Sequence, residues 1–419
     1  EDVFESIHIP TINLLADKQL KIVRLKKGFD FKKAVTVHPM EALEGLTAIK
    51  LDWTPKVDAL WSYGTRITEG ESTSTGYLNK EHLCLIDWQR VFFAIEQMKN
   101  ERNWYNMEIS VEILKQLMMQ HDWYELKIPK EGLEFRDFSK DVSRWEEITI
   151  ALLRAYIDRA YKRCKGKWES KYMKTVYIDA NDPNFFEEYT VEVRRDKESW
   201  IEKLKELNEQ IQSGHFEQDF AIEAPWIQAL RFDQHIYYPL LCLTEKDSTG
   251  KRVLVDKDTN EPLIKISPVA LNVGESTFVK HVRKYYNEHK EDTLKGKDVY
   301  LLRNESRKGI GFFEASNFYP DFILWVNDGV KQHVTFIDPK GIRNLQGLKD
   351  PKIQLFRQLQ EEVQPSLGDP DIVLDSYIVS NTDYKDVSFW ASRPEFTDSH
   401  VIFQHDDNYL DVMFKKILE

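Results

Sequence analysis

The chain is poor in cysteine and has no long apolar run, and these absences exclude several classes of protein. Its three cysteines, Cys84, Cys164 and Cys242, lie far apart and form no Cys-x-x-Cys pair. They therefore indicate free thiols in a reducing compartment such as the cytoplasm, rather than a disulfide framework or a zinc site. No apolar stretch approaches the ~20 residues of a membrane-spanning helix, and no signal peptide is recognisable.

Motifs for several kinds of chemistry are also missing. The sequence contains no Gly-x-x-x-x-Gly-Lys-Ser/Thr loop, so it carries no nucleotide-hydrolysing motor of its own. It has neither a His-Glu-x-x-His nor a Gly-x-Ser-x-Gly pattern, so nothing points to a zinc peptidase or a serine hydrolase. The chain begins Glu1-Asp2 without an initiator methionine, and we expect it to be a piece of a longer protein.

The chain has fewer basic than acidic residues: 58 Lys and Arg and 70 Asp and Glu, which give a net charge of −12. This balance does not favour a protein that coats nucleic acid with its whole surface, although a local basic segment is compatible with binding. Of the 419 residues 42% are apolar, which is enough for a sizeable core in two or three domains. We expect a strand-rich connecting region over 1–80, a mainly helical domain over 81–220 and a further domain over 221–419.

The most informative stretch lies within this last domain and has the pattern of a β-hairpin. Two apolar runs, Asp321 to Val326 and Gln332 to Asp338, flank the sequence Asn327-Asp328-Gly329. An Asp-Gly pair between apolar segments is a strong hairpin signal. If Asp328 and Gly329 form a two-residue turn, Asn327 faces Val330.

This two-residue turn sets the predicted register of the hairpin. Asp321 then lies opposite Phe336 and diagonal to Asp338. Because side chains alternate along a strand, Phe336, Asp338 and Lys340 share one face, and Asp321 is on that face too. Diagonal neighbours are roughly 7–8 Å apart, so the two carboxylates can converge on one cation.

Two carboxylates and a lysine in this arrangement are suited to metal-assisted hydrolysis. Asp321 and Asp338 supply the oxygen ligands that Mg²⁺ prefers, and Mn²⁺ is expected to substitute. The carbonyl of Pro339 is a candidate third ligand. Such an ion lowers the pKa of a bound water and neutralises charge on a phosphate, and Lys340 is placed to stabilise the developing negative charge.

Pro320-Asp321 followed by Asp338-Pro339-Lys340 resembles the PD-(D/E)xK nuclease motif, with sixteen residues between the aspartates. The likeness extends to Tyr300–Asn304, Gly309–Glu314 and Phe318–Trp325, which are similar to the C-terminal endonuclease region of type III restriction-like helicase–nucleases. It covers about residues 265–419. The resemblance implies an α/β fold in which a mixed sheet flanked by helices follows a mainly helical N-terminal part, and the segment 221–419 is the expected nuclease domain.

The resemblance also implies an acidic residue near the start of the helix before the first core strand. Glu275 occupies that place and is a candidate catalytic acid or metal ligand. The alternative is a glutamate that simply favours the first turn of a helix. Glu314, just before the hairpin, is a second candidate metal ligand.

A basic segment precedes the hairpin and is the expected nucleic-acid contact. Between Val279 and Lys308 there are nine Lys and Arg against five Asp and Glu. Arg303, Arg307 and Lys308 lie immediately upstream of the hairpin, where backbone phosphates would be held. After it, Asp350 and Pro351 predict the start of a helix that carries Lys352 and Gln354 toward the site.

These expectations combine into one functional hypothesis and its alternatives. The resemblance implies a Mg²⁺-dependent endonuclease that hydrolyses DNA and serves a superfamily 2 helicase motor, in the same longer chain or complex, in restriction or antiphage defence. One alternative is a non-catalytic DNA- or protein-binding module with a nuclease-like fold, or an ordinary hairpin with solvated charges. Another is a nuclease that acts on RNA.

Overall fold

The computed structural model describes residues 3–16, 18–42, 48–53, 73–305, 319–345 and 347–419, and its mixture of helices and sheets confirms the α/β class. The described residues divide into two compact units: the smaller contains those of Lys26–Tyr172, and the larger contains those before Lys26 and after Tyr172. These bounds differ from the predicted divisions at 80 and 220. The reason is that N-terminal strands pair with strands far along the chain, as β1 does with β8.

The strands have these bounds: β1 (Phe4–Pro10), β2 (Ile12–Asn13), β3 (Lys21–Leu25), β4 (Ile49–Asp52), β5 (Thr73–Gly76), β6 (Tyr124–Pro129), β7 (Met173–Tyr177), β8 (Glu188–Arg194), β9 (Phe220–Glu223), β10 (Ile227–Leu230), β11 (Tyr237–Tyr238), β12 (Leu240–Leu243), β13 (Ile264–Ser267), β14 (Asp298–Arg303), β15 (Phe322–Asn327), β16 (Gln332–Lys340), β17 (Ile372–Ser380) and β18 (Val401–Phe403). The α-helices are α1 (Phe31–Ala34), α2 (Lys80–Leu83), α3 (Trp88–Glu101), α4 (Val111–Met119), α5 (Phe138–Glu169), α6 (Glu198–Gln212), α7 (Val273–His289), α8 (Leu355–Gln358), α9 (Gln364–Leu367), α10 (Arg393–Asp398) and α11 (Tyr409–Leu418).

The smaller unit is organised around the long helix α5. Its stripe of apolar residues at helical spacing, including Ile148, Leu152 and Tyr156, is buried. Asp137 caps its first turn by accepting a hydrogen bond from the backbone N–H of Lys140. Helices α3 and α4 and strand β4 of the sheet β4-β6-β5 pack against it. The predicted helical character therefore holds for α2 to α5.

The larger unit contains the five-stranded sheet in which the predicted hairpin lies. Its strand order is β14-β15-β16-β17-β18. The first three strands are antiparallel, whereas β17 runs parallel to β16 and β18 parallel to β17. Ile323, Leu324, Trp325 and Val326 are all fully buried. Because successive side chains point to opposite faces, the sheet is covered on both sides, which explains the uninterrupted apolar runs.

Helices precede, connect and follow the strands of this sheet. Helix α7 precedes β14 and packs Phe278 against Phe322, with ring centroids 5.3 Å apart. Between β16 and β17, α8 continues through a π-helical segment, Leu359–Val363, into α9. The regular helix therefore begins at Leu355 rather than at Pro351, although Asp350 does accept the backbone N–H of Lys352 as a cap would. Helix α11 follows β18, with Phe414 stacked on Tyr285 of α7.

The hairpin β15–β16 exists as predicted, but its loop is wider. Asn327 pairs with Gln332 rather than facing Val330, so four residues, Asp328 to Lys331, form the loop. Asp328 stabilises this wider turn because its carboxylate accepts the backbone N–H groups of Val330 and Lys331, at 2.8 and 2.7 Å. Gly329 takes a positive φ of 86°, a conformation that glycine adopts without strain.

Candidate active site

The wider loop shifts the hairpin register by two residues and brings the two predicted aspartates opposite each other. Phe322 pairs with Ile337, and continuing this register by one residue places Asp321 across from Asp338. The predicted diagonal relation, with Asp321 opposite Phe336, is therefore wrong. Directly opposed residues have Cβ atoms about 4.5–5.5 Å apart, so the carboxylates lie closer together than predicted.

The electrostatics of this aspartate pair are those of two carboxyl groups that cannot both be ionised easily. Burial raises the pKa of Asp321 far above its ordinary value, and the neighbouring Asp338 carboxylate, which shares a hydrogen bond with it, raises that pKa further. Glu275 adds to the rise, whereas the Lys340 ammonium opposes it. Adjacent carboxyl groups hold a proton between them for this reason, and a cation can take that proton's place.

Lys340 lies at the end of β16 and completes the cluster predicted from the sequence. Its ammonium forms an ion pair with Oδ2 of Asp338, and the Lys340 side chain keeps 21% of its surface exposed. Asp338 is buried, with 4% of its surface exposed. The arrangement places a solvent-accessible cation directly beside the two carboxyl groups.

Glu275 lies near the same cluster and also serves the helix that carries it. It is the third residue of α7 and forms a capping box with Asn272, whose side chain accepts the Glu275 backbone N–H at 3.0 Å. Glu275 therefore does stabilise the start of α7, as the alternative interpretation expects. However, Asp338 is near enough to raise the pKa of Glu275, after the larger effect of burial. Glu275 is therefore electrostatically coupled to the aspartate pair.

Arg303 is placed differently from the prediction, because its guanidinium faces the interior. Only 11% of its side chain is exposed. It donates to the backbone carbonyls of Val269 and Ala270 and lies 3.5 Å from a carboxylate oxygen of Glu275. A guanidinium used in this way is not available to hold a phosphate in solvent. The arginine instead fixes Glu275 beside the aspartates.

We expect Arg303→Leu to destabilise the protein strongly. The change leaves the Glu275 carboxylate without its cationic partner and two carbonyls without the guanidinium donor, and removing one partner of a buried ion pair costs about 3–5 kcal/mol. Urea unfolding measures this destabilisation. The matched control is Arg195→Ala, because Arg195 pairs with Glu5 while 57% of its side chain is exposed, and such surface pairs contribute less than about 1 kcal/mol. Equal costs for the two variants would contradict the structural role of Arg303.

Of the other residues predicted to contact the metal or the nucleic acid, some lie near the cluster and others do not. Lys352 is near the cluster, since its pKa is lowered by burial and then by the Lys340 ammonium. Gln354 donates its side-chain amide to the Leu348 carbonyl at 2.6 Å, so that donor is already used within its own loop. Pro339 lies between Asp338 and Lys340 and pairs with Val379, and its carbonyl as a metal ligand stays a prediction. Glu314, Arg307 and Lys308 lie outside the described residues.

Two residues that the sequence analysis did not single out belong to this region. His235 is fully buried, and its Nε2 accepts the backbone N–H of Arg303 at 2.9 Å. Asn381 follows β17 and donates its backbone N–H to the Lys340 carbonyl at 3.1 Å. The sequence could have indicated Asn381, because it follows a predicted core strand. The ends of neighbouring parallel strands meet at one edge of a sheet and often carry functional residues.

The residues present fit a hard divalent cation that keeps most of its waters. Asp321 and Asp338 provide adjacent carboxylate oxygens, which are the donors that Mg²⁺ prefers in proteins. No group of three or more His, Cys, Asp or Glu side chains in the described ranges is arranged to hold a metal ion. Mg²⁺ is held in proteins through one or two carboxylates, and water and substrate oxygens complete its shell.

Comparison of the chain with protein-family models, with curated proteins and with solved structures found no match. Among the described residues, none of the helices combines the length and the apolar character needed to cross a lipid bilayer. Cys84, Cys164 and Cys242 all carry free thiols, as predicted. Function therefore has to be inferred from the site itself.

Proposed function

We propose that the chain is a divalent-cation-dependent endonuclease that hydrolyses phosphodiester bonds of DNA. The observation that carries the proposal is the pairing of Asp321 with Asp338 at the end of a buried hairpin, with the Lys340 ammonium ion-paired beside them. Two adjacent carboxyl groups do not improve packing, and the Asp338 carboxylate raises the pKa of the Asp321 carboxyl. Such perturbed groups are concentrated at functional sites.

Each residue of the cluster has a chemical role in this proposal. Asp321 and Asp338 hold Mg²⁺ or Mn²⁺, with the Pro339 carbonyl as a further ligand. A Mg²⁺ ion bound there would lower the pKa of a bound water and neutralise charge on the phosphate. Lys340 orients the attacking water or stabilises the negative charge that develops on the phosphate oxygens. Glu275, held by Arg303 and Asn272, serves as a further metal ligand or orients water beside the aspartate pair.

The arrangement of the larger unit supports assignment to the PD-(D/E)xK nucleases. Helix α7 precedes the first strand of a mixed sheet, and Glu275 lies in its first turn. Asp321 immediately precedes the first strand of one hairpin, Asp338 lies on the second strand, and the lysine follows Asp338 by two residues on that strand. These are the features that the sequence resemblance implies for the fold.

The biological setting is proposed from the resemblance alone. A superfamily 2 helicase motor, in the same longer chain or in a complex, would deliver DNA to this nuclease in restriction or antiphage defence in the cytoplasm. A motor that tethers the DNA raises its effective concentration at the site without any new contact. This help matters for a protein whose net charge of −12 repels phosphate.

Incubation with Mg²⁺ and either DNA or RNA tests the proposal against its alternatives. We expect the chain to cut DNA. Cleavage of RNA alone would support the RNA nuclease instead, and binding without cleavage of either would support the non-catalytic module.

A further inference from the structure

Two cavities in the larger unit share Asn381 as part of their walls. The larger, about 770 Å³, extends from the start of α7 and Glu275 toward Lys246 and Arg252. The smaller, about 320 Å³, is lined by Gly341, Asn344 and two pairs of side chains, Arg343 with Asp386 and His405 with Asp383. Asn381 therefore lies between the two cavities and next to the candidate active site. A ligand that occupies both cavities would pass it.

Asn381 is held in place by close packing of the backbone on two sides. A Cβ atom added at Gly274 would lie 2.9 Å from Nδ2 of Asn381, and one added at Gly341 would lie 3.3 Å from its Oδ1. Glycine at both positions therefore makes room for the amide. The side chain is exposed, and within the described residues its amide makes no hydrogen bond. A donor and an acceptor in a fixed position beside Lys340 are thereby left for a ligand.

The larger cavity combines exposed cations with apolar surface. Lys246 and Arg252 pair across an antiparallel bridge, so their side chains emerge close together at its rim. Lys265 is a third exposed cation in the lining, against the acidic Glu245 and Glu275. Val269 and Val273 also line it, and they are 74% and 51% exposed. Excess positive charge beside exposed apolar surface suits a phosphodiester chain with unstacked bases.

The size of the cavities selects a single strand over a duplex. Cavities of roughly 300–1,000 Å³ hold ligands of small-molecule size. One or two nucleotides fit such a space, whereas a base-paired helix does not enter it.

We propose that one unpaired strand of nucleic acid runs through both cavities and that Asn381 holds it beside Lys340. This inference rests on the proposed nuclease function and names the substrate form for that site. The Asn381 amide donates to a phosphate oxygen or pairs with a base edge. Lys246 and Arg252 neutralise phosphates further along the strand.

Fluorescence anisotropy with labelled DNA and RNA strands and a matched duplex, in EDTA so that no cleavage occurs, tests this path. We expect tighter binding of a single strand than of the duplex. Asn381→Ala is expected to bind the strand about tenfold more weakly, as for the removal of one hydrogen bond to a charged group. Asn381→Asp is expected to bind more weakly still, because a carboxylate of the same shape repels phosphate, and a purely structural role would not produce that order.

The basic rim is tested by the salt dependence of binding. Lys246→Glu combined with Arg252→Glu is expected to flatten the log–log slope by about 1.4, at about 0.7 for each phosphate of a single strand that the protein no longer neutralises. The matched control is Lys331→Glu, because Lys331 is exposed and lies outside both cavities and outside the basic segment 279–308. Its slope is expected to equal that of the unaltered protein.

Three results would contradict the proposal that a single strand of nucleic acid runs through both cavities. In the first, the protein cuts DNA but the Asn381 and rim variants bind like Lys331→Glu, which leaves the proposed nuclease function standing. In the second, the unaltered protein prefers the duplex. In the third, the unaltered protein binds no nucleic acid, which removes the nuclease proposal as well. Circular dichroism of each variant confirms that it is folded before its binding is compared.

Discussion

Lys340→Ala is expected to lower the rate of DNA cleavage by ~10²–10³, the usual cost of removing one electrostatic stabiliser from an active site. Asp338→Asn is expected to lower it at least as far. The reason is that both residues belong to the charged cluster at the end of β16, where Lys340 pairs with Asp338 and Asp338 faces Asp321. Initial rates of plasmid cleavage with saturating Mg²⁺ provide the measurement.

Stability separates a catalytic role from a structural one in these variants. Asp338→Asn keeps the shape of a buried side chain and removes the repulsion from Asp321 together with the ion pair to the partly exposed Lys340, so its melting temperature is expected to change little. Lys331→Ala is the control, since Lys331 is an exposed lysine in the loop of the same hairpin. A melting temperature that falls in step with activity would assign Asp338 and Lys340 to the fold instead.

Removal of divalent cations is expected to abolish cleavage altogether. Without a cation, the Asp321 carboxyl has a pKa far above its usual range because it is buried against Asp338, and nothing activates a water at the site. Mg²⁺ or Mn²⁺ added to protein treated with EDTA is expected to restore cleavage. Ca²⁺ is expected to bind without supporting turnover, because its longer and more variable coordination aligns water and phosphate less well.

The control for this experiment is the Asp338→Asn protein, purified in the same way, which reports any contaminating nuclease. Cleavage in EDTA that exceeds this background would contradict a metal-dependent mechanism. Equal rates with Ca²⁺ and Mg²⁺ would show that coordination geometry does not control the reaction.

The hairpin shows how far sequence pattern reaches and where it stops. The Asp-Gly pair and the apolar runs correctly predict β15 and β16, and alternation correctly places Asp338 and Lys340 together. The predicted register is wrong by two residues because loop length depends on hydrogen bonds within the turn. The carboxylate of Asp328 binds two backbone N–H groups, a choice that an Asp-Gly pair alone does not reveal.

Arg303 illustrates a second limit, which concerns burial. The sequence shows a cation near the hairpin and therefore predicts a phosphate contact. The structure places that cation against Glu275 and two carbonyls, because the segment before α7 supplies the Val269 and Ala270 carbonyls next to the end of β14. Local charge can be read from a sequence, but whether a long side chain turns inward depends on segments that are distant along the chain.

The bounds of the two compact units were not predictable for the same reason, because they depend on contacts between segments that are distant along the chain. The sequence predicts a mainly helical segment over 81–220, and helices α3 to α5 lie within it. The pairing of β1 with β8 and of β3 with β7 is long-range, and several partners of similar alternation are available to each strand. Pattern alone therefore identifies the strands without assigning their neighbours.

The central claim is that Asp321 and Asp338 hold a divalent cation together, and anomalous scattering from crystals soaked in Mn²⁺ tests it most directly. The predicted result is one anomalous peak between the two carboxyl groups, which is absent from Asp338→Asn crystals soaked in the same way. Mn²⁺ peaks elsewhere on the molecule with none between Asp321 and Asp338 would contradict the claim.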